Sequence, residues 1–484
     1  MKYFKPVFFS FIAFLLSYVS PAQQTPAYPG FHEEITKRIE IDSSSKLHIS
    51  AILVNGNRKT KTYIILRELQ FKTGDSIPAA TLFEQLQQSR ALVYNTSLFS
   101  EVEIVPVMIS ATEIVIKITV LEKLYIYPIP QFRLVDRNLN EWIKTYHADL
   151  ERVIYGAKFE HYNLSGRGDK LRIYLLNGYA RAVTFNYSAP YSNGALTEGF
   201  SFSGGYTENR EFTYKTDLDN SLMEFKKTGF TKTQFNIGGT YQRRRGYFKR
   251  NTYSISYNYL KVNDSAILPK YNPHYFNLNK PFVGFTDIQY SYLYSNTNNV
   301  NYPLKGKIFN AGILKRGFGF SGGINMLALD GKFALFIDHK KNWYSSIETF
   351  AKLKLPLKQP YINQAAVGYG EFYLRGLEYY VVDGVAAALV KYTLRKKLVS
   401  FDIPFPFRIK KIPKIPFTFY AKTFTDIGYI YNKKEFDTRL GNTLLYTGGF
   451  GLDILSIYDS TLKLEYSFNQ LGENGLFLHI RSGF

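Results

Sequence analysis

The sequence predicts a mostly β protein: a small α+β domain of order β-α-α-β-β, followed by a transmembrane antiparallel β-barrel of about 16 strands. Three observations predict it. From residue 124 onward the helical period vanishes, and segments of alternating polarity run between clusters of Gly, Asn, Asp and Pro. The chain carries 40 Tyr and 40 Phe but 2 Trp, an aromatic load that suits a surface apolar at one level and wet at another. Its N-terminus reads as a secretion signal.

That signal comes first. Lys2 and Lys5 form a positive end, Val7 to Val19 runs without charge, and Ser20-Pro21-Ala22 supplies small residues for cleavage after Ala22. The uncharged run is too short to cross a bilayer, which takes about 20 residues. Residues 1–22 are therefore read as a signal peptide. Residues 23–45 are polar, with Pro26, Pro29 and Ser43-Ser44-Ser45, and are read as a linker.

Residues 46–123 have a different texture. Leu47 to Val54 is strand-like and ends in the turn Asn55-Gly56-Asn57. Thr62 to Phe71 holds Ile65, Leu66 and Leu69 at helical spacing, and Pro78 opens a second helix containing Leu82 and Leu86. Glu101 to Met108 and Glu113 to Leu121 then alternate, the second with Ile114, Ile116, Ile118 and Val120 on one parity. The stretch is long enough for one small core.

Residues 124–484 divide into segments starting near Tyr125, Val153, Leu171, Ala182, Thr197, Thr231, Thr252, Val283, Gly306, Lys332, Ser345, Gly384, Phe417, Leu445, Thr461 and Leu476. In Thr461–Asn469, Leu462, Leu464, Tyr466 and Phe468 alternate with Lys463, Glu465, Ser467 and Asn469. In Phe417–Tyr431, Lys422, Asp426 and Gly428 share one parity and Ile427 and Tyr429 the other. A soluble sandwich would alternate too, but its strands are commonly about 5–6 residues, whereas a tilted membrane strand needs about 9–11. Only a closed sheet satisfies its backbone in lipid.

Composition excludes several functions. There is no Cys, hence no disulfide, thiolate metal site or thiol catalysis. The net charge of +21 fits a nucleic-acid binder in isolation. The secretion signal points instead to anionic lipid phosphates, with no nucleic acid among the partners. Seven His show no metal-ligand spacing, and no local Ser/His/Asp pattern is present, so no catalytic, cofactor or metal site is assigned and the chain is read as no enzyme. The basic clusters Arg243-Arg244-Arg245, Arg395-Lys396-Lys397 and Arg408 with Lys410, Lys411 and Lys414 are placed at periplasmic turns, as lipid-phosphate contacts or as ordinary solvated charge.

Several motifs resemble those of the BamA/TamA-like outer-membrane assembly family. Ile52 to Asn57, the Thr62–Leu69 helix and Leu98-Phe99-Ser100-Glu101-Val102 resemble a POTRA domain. Asn163-Leu164-Ser165-Gly166-Arg167-Gly168 resembles the family's early Asn-x-x-Gly-x-Gly turn, and Tyr302-Pro303-Leu304-Lys305-Gly306 its mid-barrel Pro-x-x-Gly turn. Leu374-Arg375-Gly376-Leu377 is similar to the Val-Arg-Gly-Phe/Tyr motif of the loop that folds back into the lumen, with Leu for both the Val and the aromatic. Asp383 to Ala388 resembles the start of the family's twelfth strand, and Phe424-Thr425-Asp426-Ile427-Gly428 its thirteenth-strand Asp-x-Gly. Lys391 stands where the family has an acidic residue, so the resemblance leaves Asp426 as the barrel-wall partner of Arg375, helped by Glu371 or Glu378. Without the family pattern, Arg375-Gly376 reads as a surface turn. Phe484 closes the last strand and resembles the terminal signal by which outer-membrane barrels are recognised for assembly.

The resemblance implies an outer-membrane protein of a Gram-negative bacterium with its POTRA domain in the periplasm. Its implied function is insertion of other proteins as an accessory or specialised paralogue. Unfolded clients, outer-membrane proteins or other secreted chains, would pair with residues 101–108 and enter at a lateral seam. Outer-membrane lipids and accessory subunits of an assembly complex are the other implied partners. The alternatives are a two-partner-secretion-like pore, and a barrel without insertase role, such as an adhesin or enzyme.

Overall fold

The structure, a computed structural model, describes residues 45–134, 147, 149–320, 323–370, 372–405, 414–433 and 438–481. Residues 1–44, expected to be a signal peptide and most of a linker, lie outside the described residues, as do Glu371, Arg408, Lys410, Lys411 and Phe484.

The N-terminal domain contains β1 (Lys46–Asn55), α1 (Thr62–Leu66), β2 (Ser76–Pro78), α2 (Ala79–Tyr94), β3 (Phe99–Met108) and β4 (Glu113–Glu122). The sheet order is β2-β1-β4-β3; β1 and β4 run parallel, and β4 pairs antiparallel with β3. The alternation of Ile114, Ile116, Ile118 and Val120 puts all four against the helices, in a core with Leu47, Ile49, Ile64, Ile65 and Leu86. Two details depart from the expected β-α-α-β-β order. The three-residue β2 pairs with β1 through Ile77, and is too short to leave a periodic signature. Helix α1 ends at Leu66, because the chain tightens into i→i+3 bonds, Glu68 N to Ile65 O and Leu69 N to Leu66 O.

Sixteen strands then form one antiparallel sheet. The first five are β5 (Ile126–Leu134), β6 (Val153–Tyr162), β7 (Lys170–Gly178), β8 (Ala180–Ala189) and β9 (Glu198–Asn209). A separate hairpin, β10 (Glu211–Thr216) and β11 (Leu222–Lys226), precedes β12 (Lys232–Arg245), β13 (Lys249–Val262) and β14 (Phe282–Thr297). Next come β15 (Gly306–Arg316), β16 (Met326–Asp338) and β17 (Trp343–Leu355). A small hairpin, β18 (Ala365–Val367) with β19 (Val382–Asp383), lies in the long loop before β20 (Ala386–Pro404). The sheet ends with β21 (Lys414–Tyr431), β22 (Leu444–Leu455), β23 (Thr461–Asn469) and β24 (Asn474–Arg481). The sixteen expected segments each coincide with one of these strands.

Alternation decides which way each strand faces. On β21, Lys422, Phe424, Asp426 and Gly428 are buried, whereas Ile427 and Tyr429 are exposed. Outward rows such as Tyr253, Ile255 and Tyr257 on β13 give the sheet the apolar outer band of a membrane barrel. The sheet curls: Tyr302, between β14 and β15, donates its hydroxyl across the interior to Asp453 on β22 at 2.8 Å. No helix among the described residues is long and apolar enough to cross a membrane. The end strands β5 and β24 share no ladder among the described residues.

One expected placement is corrected. Arg395-Lys396-Lys397 lies inside β20, not in a turn, since that strand continues to Pro404. Alternation turns Arg395 inward, where it is buried and 3.6 Å from Asp453.

Candidate functional site

Two sites stand out. The first is made by the long loop between β17 and β20, which folds into the barrel. Arg375 is 7% exposed and Asp426 is fully buried. Nε of Arg375 donates to Oδ2 of Asp426 at 2.9 Å, Nη2 donates to Oδ1, and the Arg375 backbone N–H also donates to Oδ2 at 3.0 Å. Nη1 reaches Thr393 Oγ1 at 2.9 Å, Nη2 also reaches the Tyr392 carbonyl at 3.2 Å, and the guanidinium stacks over Phe424 at 4.1 Å. The planar fork matches the carboxylate, and β20 accepts from two further N–H groups.

Leu374 and Leu377 anchor the loop by burial, packed with Leu389, Ile430 and Leu445. Gly428 explains the Asp-x-Gly spacing. A Cβ there would lie 2.5 Å from Leu389 Cδ2 and 3.2 Å from Leu374 Cδ1, so the missing side chain makes room for the loop. The Gly376 carbonyl accepts from Asn469 on β23 at 2.8 Å.

Lys391 pairs in register with Asp426, yet it does not displace Arg375. Its Nζ sits 4.4 Å from the centre of the Tyr373 ring. The loop therefore presents Tyr373 to the lysine and Arg375 to the aspartate. Glu378 turns elsewhere: its carboxylate accepts from Gly376 N at 2.6 Å and faces His479 at 3.3 Å.

Sequence reasoning missed the neighbouring charge network. Lys422 contacts Asp453 and lies 2.7 Å from Glu465. Each of these charges sits on the buried parity of its strand, a signal that was present in the alternation.

The second site is the seat of the N-terminal domain on the barrel. Arg244, at the end of β12, is buried and grips Glu68 with both nitrogens at 2.6 Å, so it is no lipid-facing charge. Tyr191 donates to the same carboxylate at 3.2 Å, and Arg67 Nε reaches the Leu196 carbonyl at 2.6 Å. Burial pushes the Tyr191 hydroxyl above its ordinary pKa. The 163–168 turn docks beside the chain before α1. Lys61 N donates to Gly166 O at 2.9 Å, and Asn163 donates to Thr60 Oγ1 at 2.9 Å. Gly166 has φ +85° and a Cβ there would lie 2.4 Å from Lys59 O, so the turn requires glycine on both counts. At the far end of α2, Tyr94 donates to Asp459 at 2.9 Å, and Asn95 bonds Thr297 O and Val300 N. The domain thus spans the barrel mouth, held at five of its turns.

Comparison with known proteins agrees with this architecture. Residues 47–123 match the family model described as "POTRA: Surface antigen variable number repeat". No curated protein matches the chain. Among solved structures, CdiB from Escherichia coli is similar at a TM-score of 0.50 and 10% identity, over 90% of this chain and 75% of that one. BamA from Haemophilus ducreyi lacking POTRA domains 1-3 is similar at 0.48 and 13%, over 90% and 84%. The chain thus joins one domain that matches the POTRA model to a sixteen-strand sheet whose fold is similar to that of CdiB.

Proposed function

We propose that this protein is an accessory or specialised factor that inserts other proteins into the outer membrane at a lateral seam between β5 and β24. The barrel spans the outer membrane and the POTRA domain sits in the periplasm. One observation carries the reading: β5 and β24 share no ladder among the described residues, although every other neighbouring pair in the sheet is laddered. An unpaired edge in lipid is strongly unfavourable, so a client strand gains most by pairing there. Outward residues Leu476, Leu478 and Ile480 on β24 are all well exposed.

Client capture fits the POTRA edge. β3 pairs with β4 on one side and has no ladder on the other among the described residues. Ile109 N bonds Glu113 O, so the odd-numbered residues of β3 turn their backbone groups to β4 and the even-numbered ones turn theirs outward. Arg90 occupies the Val102 carbonyl at 2.8 Å and Pro106 has no N–H, which leaves Ile104 and Met108 to offer both backbone groups for β-augmentation. The Arg375 loop braces the wall next to the seam strands.

A sixteen-strand barrel is wide enough for an aqueous channel, which favours a second reading, a two-partner-secretion-like pore. In that case the inward loop and the docked POTRA domain both have to leave the path. Reconstitution separates the two. Liposomes carrying the protein and fed an unfolded outer-membrane barrel from the POTRA side should fold it into the bilayer, seen as heat-modifiable migration. Delivery of a soluble client into the opposite compartment, without barrel folding, would favour the pore.

A further inference from the structure

We propose that Glu378, Glu465 and His479 form a site for one divalent transition metal, zinc(II) by donor type, that ties the inward loop to the last two strands. Each residue offers one donor atom, and the three lie within 4.8 Å of one another. His479 Nε2 is 3.3 Å from Glu378 Oε1 and 3.3 Å from Glu465 Oε2. Bonds of about 2.0–2.2 Å to a tetrahedral zinc put neighbouring donors about 3.3–3.5 Å apart, so both spacings are already those of ligands around a common ion.

A second observation points to a ligand. Glu465 is 2% exposed, and its Oε2, the oxygen turned to His479, is buried with no hydrogen-bond partner. Its other oxygen is committed to Lys422 at 2.7 Å. A buried carboxylate oxygen without a donor is costly, and a cation at this point satisfies it. The imidazole is held in place by Tyr373, whose ring stacks on it at 5.2 Å and 25°. The His479 and Glu378 side chains are 26% and 13% exposed, which leaves a path for the ion and an open coordination position. Two carboxylates and a neutral imidazole give a net charge of −2 to set against the ion, partly shared with Lys422.

The site joins elements that matter to the barrel. Glu378 follows the Arg375 motif, Glu465 belongs to β23 and His479 to β24, the strand at the open edge. A bound ion therefore fastens the loop to the seam from within. The three ligands come from separate segments, so no spacing in the sequence announces them.

The test is metal binding by the full-length protein in detergent after chelator treatment, using cobalt(II) as a visible probe and zinc(II) as competitor. We expect saturation at one equivalent, the visible absorption of a low-coordinate cobalt site, and displacement by zinc(II). Glu378→Gln lies on the loop and should leave the barrel heat-modifiable while weakening binding at least ~10-fold, the lower end of what even outer-shell changes cost a metal site. His479→Gln is the second variant and should do the same. Zinc(II) should also slow proteolysis of the loop in the native protein but not in either variant. No saturable binding, or binding unchanged in both heat-modifiable variants, overturns the proposal and leaves a histidine between two carboxylates as an ion pair only.

Discussion

Arg375 and Asp426, 51 positions apart in the chain, meet in a two-pronged contact: Nε and Nη2 of the arginine each donate to one carboxylate oxygen. The pair is buried, and the backbone N–H of Arg375 joins it. The contact fixes both the side chain and the path of the loop.

The first prediction follows from that double role. Removing one partner of a buried pair costs roughly 3–5 kcal/mol, and less where lumen water reaches the orphan. Arg375→Ala should loosen the loop and speed its proteolysis. Arg375→Lys should do so too, because an ammonium cannot span both oxygens. A double-mutant cycle with Asp426→Ala should give a coupling of about 0.5–3 kcal/mol. Strict additivity would show that the side chains do not act together.

The POTRA seat makes a second prediction. Glu68 accepts both prongs of Arg244, with Tyr191 and Arg67 beside it. Glu68→Ala leaves Arg244 buried without its anion, so the domain should undock while the barrel stays heat-modifiable. Hydrogen exchange in the 163–169 turn should then rise several-fold. An unchanged exchange pattern would mean that the ion pair does not hold the domain.

A third prediction concerns the domain alone. Its core is made mostly of its own residues; Tyr125, Tyr191 and Leu196 enter it from outside 46–123, and Tyr162 packs against it. Residues 46–123 should therefore fold as a soluble domain, with circular dichroism of mixed α and β and a cooperative melt. Deleting them should leave a barrel that inserts but no longer supports client assembly. A truncated protein as active as the full chain would remove the domain from the mechanism.

Much of the architecture is legible in the sequence because the physics is local. Strand alternation is a two-residue signal, so Lys422, Asp426 and Gly428 could be assigned to the inner face without a structure. The Arg-Gly and Asp-x-Gly motifs placed two residues that the fold brings together. What stayed hidden depends on long-range pairing. Arg244 reads as one of three surface arginines until Glu68 arrives from 176 positions away. Lys391 reads as the loss of an acidic partner for Arg375 until the loop lays Tyr373 over it. The short β2 gave no period to detect, and Arg395 looked like turn charge because β20 is unusually long at 19 residues.

In the proposed mechanism clients enter through the β5–β24 seam. The chain has no cysteine, so engineered pairs on β5 and β24 form the sole disulfide. Client folding in liposomes should be measured with the pair oxidised and again after reduction, beside single-cysteine controls. The lateral mechanism predicts strong loss of folding when the seam is locked and recovery on reduction. Full activity with the seam fully crosslinked would contradict it.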